Sequence, residues 1–284
     1  MTDDAFHFDG ADGTRIAAYR WGAKGPVKAV LQISHGMGEH ALRYIEPLAP
    51  LREAGIAIYA NDHRGHGRTA ATLGDFGPGG FAAVVDDMAI LSVIAKRENP
   101  GKKLVLLGHS MGSFALQIYL VKHSALIDGA VLSGSAALDL MPPPDPSGGA
   151  LAALNAPFEP ARTPFDWLSR SPSEVDKYIA DPLCGFSVDQ AGMMSIFTAA
   201  APLFEPDALT RIRPTLPIYL IAGDKDPLNG DLAFLAPLLA RYRQAGVKDV
   251  TSDFYPGGRH EMLNETNREE VARNLGRFIA RVAV

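Results

Sequence analysis

The sequence predicts an α/β fold: a mostly parallel central sheet covered by helices on both faces, with a helical cap inserted late in the chain. Three observations carry that prediction. From Ala29 to Leu132, apolar runs of strand length alternate with helical patterns. Met141 to Gly149 then breaks the rhythm with a proline run, and strands resume only at Ile218. Finally, Gly108-His109-Ser110-Met111-Gly112 lies where an unbroken apolar run meets a densely apolar helix. A serine between two glycines at such a junction is a strand–turn–helix elbow, a turn too tight for a side chain at either flanking position.

The elements follow in order. Ala5 to Phe8 and Arg15 to Tyr19 read as strands joined by the turn Gly10-Ala11-Asp12-Gly13, a hairpin at the sheet's edge. Ala29 to Ser34 is the next strand, ending in His35-Gly36-Met37-Gly38-Glu39-His40. A helical segment to about Glu53 follows, with Glu39 and Arg43 spaced i,i+4 for a surface ion pair. Ile56 to Ala60 is a strand running into Asp62-His63-Arg64-Gly65-His66-Gly67-Arg68-Thr69, and Phe81 to Lys96 a helix stopped by Asn99-Pro100-Gly101.

Leu104 to Leu107 is the strand before the elbow, Ser113 to His123 the helix after it, and Gly129 to Leu132 another strand. The division predicted is a core of residues 1–137 and 211–284 and a cap of 138–210, the latter with helical patterns at Pro172 to Ala180 and Ala191 to Phe204. The alternation resumes with Ile218 to Ile221, a helix from Asp231 to Ala245, a strand from Val250 to Tyr255 and an amphipathic helix from Glu269 to Val282.

Composition narrows the function classes. Net charge is −5, and no run of Lys or Arg could track phosphates, so nucleic acid is not expected as a partner. The single cysteine, Cys184, precludes an internal disulfide and is read as a packed small hydrophobe rather than a nucleophile. The acidic start Met1-Thr2-Asp3-Asp4 lacks the basic and apolar regions of a signal peptide, and no apolar stretch approaches the ~18 residues that span a bilayer. A soluble cytoplasmic protein is the expectation.

A serine hydroxyl needs a base to attack anything, usually a histidine oriented by a carboxylate. In elbow-bearing sheets these partners follow the nucleophile in the order acid, then histidine. Only His123 and His260 follow Ser110. His123 lies at the far end of the nucleophile's own helix, roughly 20 Å away at 1.5 Å per residue. His260, in Pro256-Gly257-Gly258-Arg259-His260, is therefore the expected base. On the loop Gly223-Asp224-Lys225-Asp226-Pro227, both aspartates qualify as its carboxylate. Asp226 is preferred because it lies deeper in the loop and Pro227 holds its backbone extended, but spacing leaves Asp224 open. A developing oxyanion needs two donors, assigned to the backbone amides of Met111 at the helix start and Met37 in the glycine turn. Asp62 to Thr69 invites a metal reading, yet a loop tied by Asp62 and Arg64 suits it better; His35 and His109 are read as loop-shaping.

The motifs His35 to His40 with Arg43-Tyr44, Asp62 to Thr69, Gly108 to Gly112, Gly223 to Asp226 and Pro256 to His260 resemble the monoacylglycerol lipase and lysophospholipase-like branch of the α/β-hydrolases. The resemblance spans about residues 5 to 282, and the cap pieces Phe165 to Arg170 and Asp181 to Leu183 share it. It implies a catalytic triad of Ser110, Asp226 and His260, with Met37 and Met111 as oxyanion donors, and so resolves the choice of aspartate. It implies a serine hydrolase of carboxylic esters working through an acyl-enzyme, with neither metal nor organic cofactor. Lysophospholipase, short-chain esterase or thioesterase activity on the same triad is the alternative, and a non-catalytic binding protein on the same fold a remoter one.

The cap's apolar residues would wall the acyl site; Met193, Met194 and Phe197 are the candidates to face it, since methionine adapts to flexible apolar ligands. Residues 138–210 hold ten acids against three bases. That charge should disfavour anionic substrates, making neutral acyl esters such as monoacylglycerols the expected small-molecule partner. The same apolar cap offers a surface for transient contact with lipid.

Overall fold

A computed structural model of the 284-residue chain describes residues 3–140, 153–205 and 207–284. The stretch Met141 to Gly149 and the cap residue Leu151 lie outside the described residues. Eight strands form one sheet in the order β1-β2-β4-β3-β5-β6-β7-β8: β1 (Asp4–Asp9), β2 (Arg15–Trp21), β3 (Ala29–Ser34), β4 (Ile56–Asn61), β5 (Leu104–His109), β6 (Gly129–Ser133), β7 (Ile218–Gly223) and β8 (Val250–Tyr255). The β1–β2 and β2–β4 pairings are antiparallel, and every later pairing is parallel. The predicted hairpin thus sits at one edge of an otherwise parallel sheet.

Apolar alternation assigns each central strand to two cores. Leu104 and Leu106 join Leu132 and Leu220 on one face, under α2 (Gly80–Glu98), α3 (Met111–His123) and α6 (Leu235–Gln244). Val105 and Leu107 join Leu31, Ile33 and Ile221 on the other, under α1 (Ala49–Glu53) and α7 (Arg268–Val282). Strands β3 to β7 are buried along their whole length, which is why they read as continuous apolar runs. Helix α7 buries Val271, Ala272, Leu275, Phe278 and Ile279, a single stripe at 3.6-residue spacing. Helix α3 is buried almost all round and lacks such a stripe.

Between β6 and β7 the described chain carries α4 (Pro172–Ala180), α5 (Gln190–Ala200) and short 3-10 turns. Helix α5 packs against α2 and α3. Three expected helices are shorter, each for a local reason. After His40 the chain makes a 3-10 turn, Ala41–Tyr44, and α1 starts only at Ala49, because Pro47 intervenes without an N–H. Helix α6 starts at Leu235, since Asp231 and Leu232 adopt positive φ. Helix α5 gives way to a 3-10 turn at Ala201–Phe204, which contains Pro202. Among the described residues, no helix is long and apolar enough to cross a membrane.

Candidate active site

Ser110 is the hinge between β5 and α3, with φ of 53° and ψ of −123°. Such a backbone costs about 1–3 kcal/mol and persists only where its surroundings over-determine it. Here the Ser110 N–H donates to the Ser133 carbonyl at 2.9 Å, and the Ser110 carbonyl accepts from the Ser113 N–H at 2.8 Å. The approach of neighbouring backbone is extreme: a Cβ at Gly112 would stand 2.1 Å from the Ser34 carbonyl oxygen. Ser110 is left partly exposed at the positive end of α3, where the Met111 amide is among those with no acceptor inside the helix.

The loops after β7 and β8 bring Asp226 and His260 together. A Cβ at Gly223 would lie 2.1 Å from the Gly258 carbonyl oxygen, and the Lys225 N–H donates to that carbonyl at 2.9 Å. Within this seam, His260 Nδ1 lies 2.9 Å from Asp226 Oδ2, and both side chains are fully buried. The other Asp226 oxygen accepts from the Leu228 N–H at 2.9 Å. Asp224 faces elsewhere and accepts from the Gly257 N–H at 2.7 Å, shaping the histidine's loop. Burial opposes a charged His260, but the Asp226 carboxylate and its hydrogen bond outweigh burial and lift the pKa above the ordinary 6.5. His109, its ring 4.8 Å from that of His260, is pushed the other way, to about 4, by burial and by His260.

The Gly36–Met37 turn abuts the serine, since a Cβ at Gly36 would stand 3.1 Å from Ser110 Cβ. His35 Nδ1 lies 2.8 Å from the Gly36 carbonyl, and its Nε2 accepts from the His63 N–H at 3.0 Å. A carbonyl on one side and an N–H on the other assign a neutral, Nδ1-protonated ring, and burial depresses its pKa in keeping. That donation polarises the very peptide unit whose N–H belongs to Met37.

Glu39 holds the same turn, accepting from the Gly36 N–H at 2.6 Å and the Tyr44 hydroxyl at 2.8 Å. Arg43 donates to Glu39 at 2.6 Å and to both oxygens of Glu261 at 2.6 and 2.8 Å, so one guanidinium joins the Gly36 turn to the residue after His260. The expected surface pair is therefore a buried one, with side-chain exposures of 11% for Arg43 and 4% for Glu39. Burial works against the Glu39 carboxylate, yet Arg43 holds its pKa down at about 2. The i,i+4 spacing registered adjacency, whereas burial comes from Glu261 and Tyr178 closing over Arg43 from far along the chain.

The Asp62–Thr69 loop is tied internally. Asp62 accepts from the Tyr19 hydroxyl at 2.7 Å, the Ala41 N–H at 2.9 Å and the Arg68 N–H at 2.8 Å, while Arg64 pairs with Asp12 and Asp87. His63 lies 2.9 Å from the Ser34 hydroxyl. These contacts make the loop the floor under the Gly36 turn.

A cavity of about 20 Å³, room for about one water, adjoins Ser110 and His260 and is lined further by Met37, Trp167, Leu168 and Tyr178. Of these, Tyr178 was not anticipated at the site, and neither was Glu261 in the Arg43 bridge; no local pattern marks either, though Glu261 adjoins His260. Met193 packs against the core, Met194 is 55% exposed and Phe197 is half-buried; none of the three is among the residues lining this cavity. Cys184 packs against the small cluster of Trp167, Leu168 and Tyr178, and burial pushes its thiol pKa up.

Comparison with known proteins places this geometry among hydrolases. Residues 25–267 match the family model described as serine aminopeptidase, S33. A monoacylglycerol lipase of Mycolicibacterium smegmatis is 30% identical over 281 residues, covering 96% of this chain and 95% of that protein. Human monoglyceride lipase is 30% identical over 273 residues, covering 92% and 85%. A thermostable carboxyl esterase from Bacillus coagulans, solved in complex with glycerol, superposes with a TM-score of 0.89 at 26% identity over the whole of both chains.

Proposed function

We propose that this chain, which belongs to the serine aminopeptidase S33 family within the α/β-hydrolases, is a serine hydrolase of carboxylic esters whose substrates are monoacylglycerols and other neutral acyl esters. The observation that carries the reading is the 2.9 Å contact between His260 Nδ1 and Asp226, with Ser110 and His260 sharing one cavity. Ser110 Oγ attacks the ester carbonyl and His260 Nε2 takes its proton. Asp226 holds Nδ1–H and offsets the imidazolium charge. The amides of Met37 and Met111 receive the oxyanion. His260 then returns the proton to the departing alcohol, and water repeats the sequence to free the acid.

The family description raises the question of an aminopeptidase. A buried substrate ammonium needs an uncommitted carboxylate. The two carboxylates lining the cavity, Glu39 and Glu261, are both engaged by Arg43, which favours an uncharged substrate.

Residues 138–210 act as a cap in this reading. The cavity beside Ser110 is too small for an acyl chain, so substrate entry requires the cap to shift, and the exposed Met194 and Phe204 give it apolar groups for transient contact with a lipid surface. A chain-length series of monoacylglycerols, p-nitrophenyl esters and lysophospholipids tests the proposal. Monoacylglycerols should show higher kcat/KM at low salt than anionic lysophospholipids of equal chain length. Equal values would overturn the preference for neutral esters.

A further inference from the structure

Where the cap meets the loop after β3, three side chains of different chemistry converge. The ligand atoms of His40, Asp181 and Cys184 all lie within 4.8 Å of one another. His40 Nε2 is 2.9 Å from Asp181 Oδ2, and the Asp181 oxygen on the other side accepts from the Leu183 N–H at 2.9 Å. His40 is only 5% exposed, and its Nδ1 is buried without a hydrogen-bond partner, an expensive condition for an imidazole. The backbone is already paired across the same seam, with the Gly185 N–H donating to the Gly38 carbonyl at 3.0 Å. Three carboxylates act on the Cys184 sulfur, those of Glu39, Asp181 and Glu261, against the one guanidinium of Arg43. Three carboxylates against one guanidinium leave negative charge in excess.

We propose that His40, Asp181 and Cys184 form a zinc site that fastens the cap to the turn carrying Gly38 and His40. One nitrogen, one oxygen and one sulfur donor match what Zn²⁺ takes, and a water completes the tetrahedron. The two nearer donors already stand close to the separation of ligands on a common ion, and the excess negative charge favours a dication. On binding, the Cys184 thiol releases its proton to solvent and ligates as the thiolate. The site does not depend on the assignment of Ser110. Only its consequence does: fastening residues 181–185 beside Met37 hinders the shift that admits substrate, so bound zinc slows ester hydrolysis.

Calorimetric titration of the metal-free protein with Zn²⁺, and with Co²⁺ followed by absorption, tests the site without reference to activity. One equivalent should bind, and the Co²⁺ form should show a thiolate-to-metal charge-transfer band. Cys184→Ser should abolish the band and weaken Zn²⁺ binding about tenfold or more, Cys184→His should restore affinity without the band, and His260→Ala should retain both. Zinc should slow the wild-type enzyme several-fold, reversibly with EDTA, and leave Cys184→Ser unaffected. No binding, no charge-transfer band in the wild type, or binding that survives Cys184→Ser but vanishes in His260→Ala would overturn the proposal. A protein that binds zinc as described but hydrolyses no ester would instead refute the proposed function and leave the site standing.

Discussion

The sheet and the segment above it are held by different forces. Leu107 or Ile221 is surrounded by apolar neighbours contributed by several strands and a helix, and burying each such side chain stabilises the fold by about 1.5–3 kcal/mol. Above the sheet, α5 joins the main core through Ile196 and Ala200, but among the described residues the segment 154–184 has only the small cluster of Trp167, Leu168 and Tyr178. Polar ties do the rest for that segment. Arg259 donates to the Asp166 carbonyl, Ser169 Oγ donates to the Asn264 carbonyl at 2.8 Å, the Glu261 N–H donates to the Leu168 carbonyl at 2.8 Å, and Arg170 pairs with the buried Glu265. Apolar packing fixes the elbow rigidly. Directional bonds fix the overlying segment to the loops that carry His260, so it can be loosened without unfolding the sheet. Damage below should therefore cost the fold, and damage above should cost rate or substrate binding.

The largest effect is expected at the elbow. Gly112→Ala drives a methyl into the Ser34 carbonyl and should lower stability by more than about 4 kcal/mol in urea unfolding, with activity lost. Next in size is a change at the seam between the two regions. Arg43→Leu leaves Glu39 and Glu261 buried without a counter-charge and should cost about 3–5 kcal/mol, read from the same unfolding curves. Because Glu39 has its pKa depressed to about 2, its contribution is present above the unfolded carboxylate range and lost as pH falls through about 2. In Arg43→Leu that acid-side loss should vanish, because burial, no longer offset by the guanidinium, raises the Glu39 carboxyl and removes the advantage of its charged form.

Asp226→Asn should leave folding nearly intact yet lower kcat by about 10³–10⁴. The wild-type rate should fall as pH drops through a midpoint above 6.5, because His260 must be neutral to accept a proton and Asp226 raises its pKa. Without the carboxylate, burial is the largest influence left on the ring, so the midpoint should move down. A midpoint that stays put would break the link between the two residues.

Above the sheet the effects shrink. Arg170→Ala removes the guanidinium paired with Glu265 and should cost about 1–2 kcal/mol, with KM changing more than kcat. Met194→Gln should stay within about 0.5 kcal/mol in stability. A rise in KM confined to long-chain esters would give Met194 a place against the acyl chain that the closed cavity does not provide.

What the sequence made legible follows the same divide. Strands β3 to β7 were visible because burial on both faces demands unbroken apolar runs, and the elbow because its backbone demands glycine. The loops were half legible: spacing favoured Asp226 over Asp224 only weakly and the family resemblance decided between them, whereas the three-dimensional seam has one side chain bonding the Gly257 amide and the other meeting His260. The overlying segment was least legible. Arg43 meets Glu261 from 218 residues away, and the Trp167 ring lies tilted with its centroid 4.8 Å from that of His260, through contacts that no local periodicity encodes. Polar ties leave no repeating pattern in a sequence, whereas packed faces do.

Everything proposed for the reaction rests on Ser110 being a nucleophile activated through His260 and Asp226. Labelling with a fluorophosphonate probe, followed by mapping of the modified peptide, tests it most directly. One adduct should form, on Ser110, absent from Ser110→Ala and formed much more slowly in His260→Ala. An unlabelled wild-type protein, or an adduct that persists in Ser110→Ala, would contradict it.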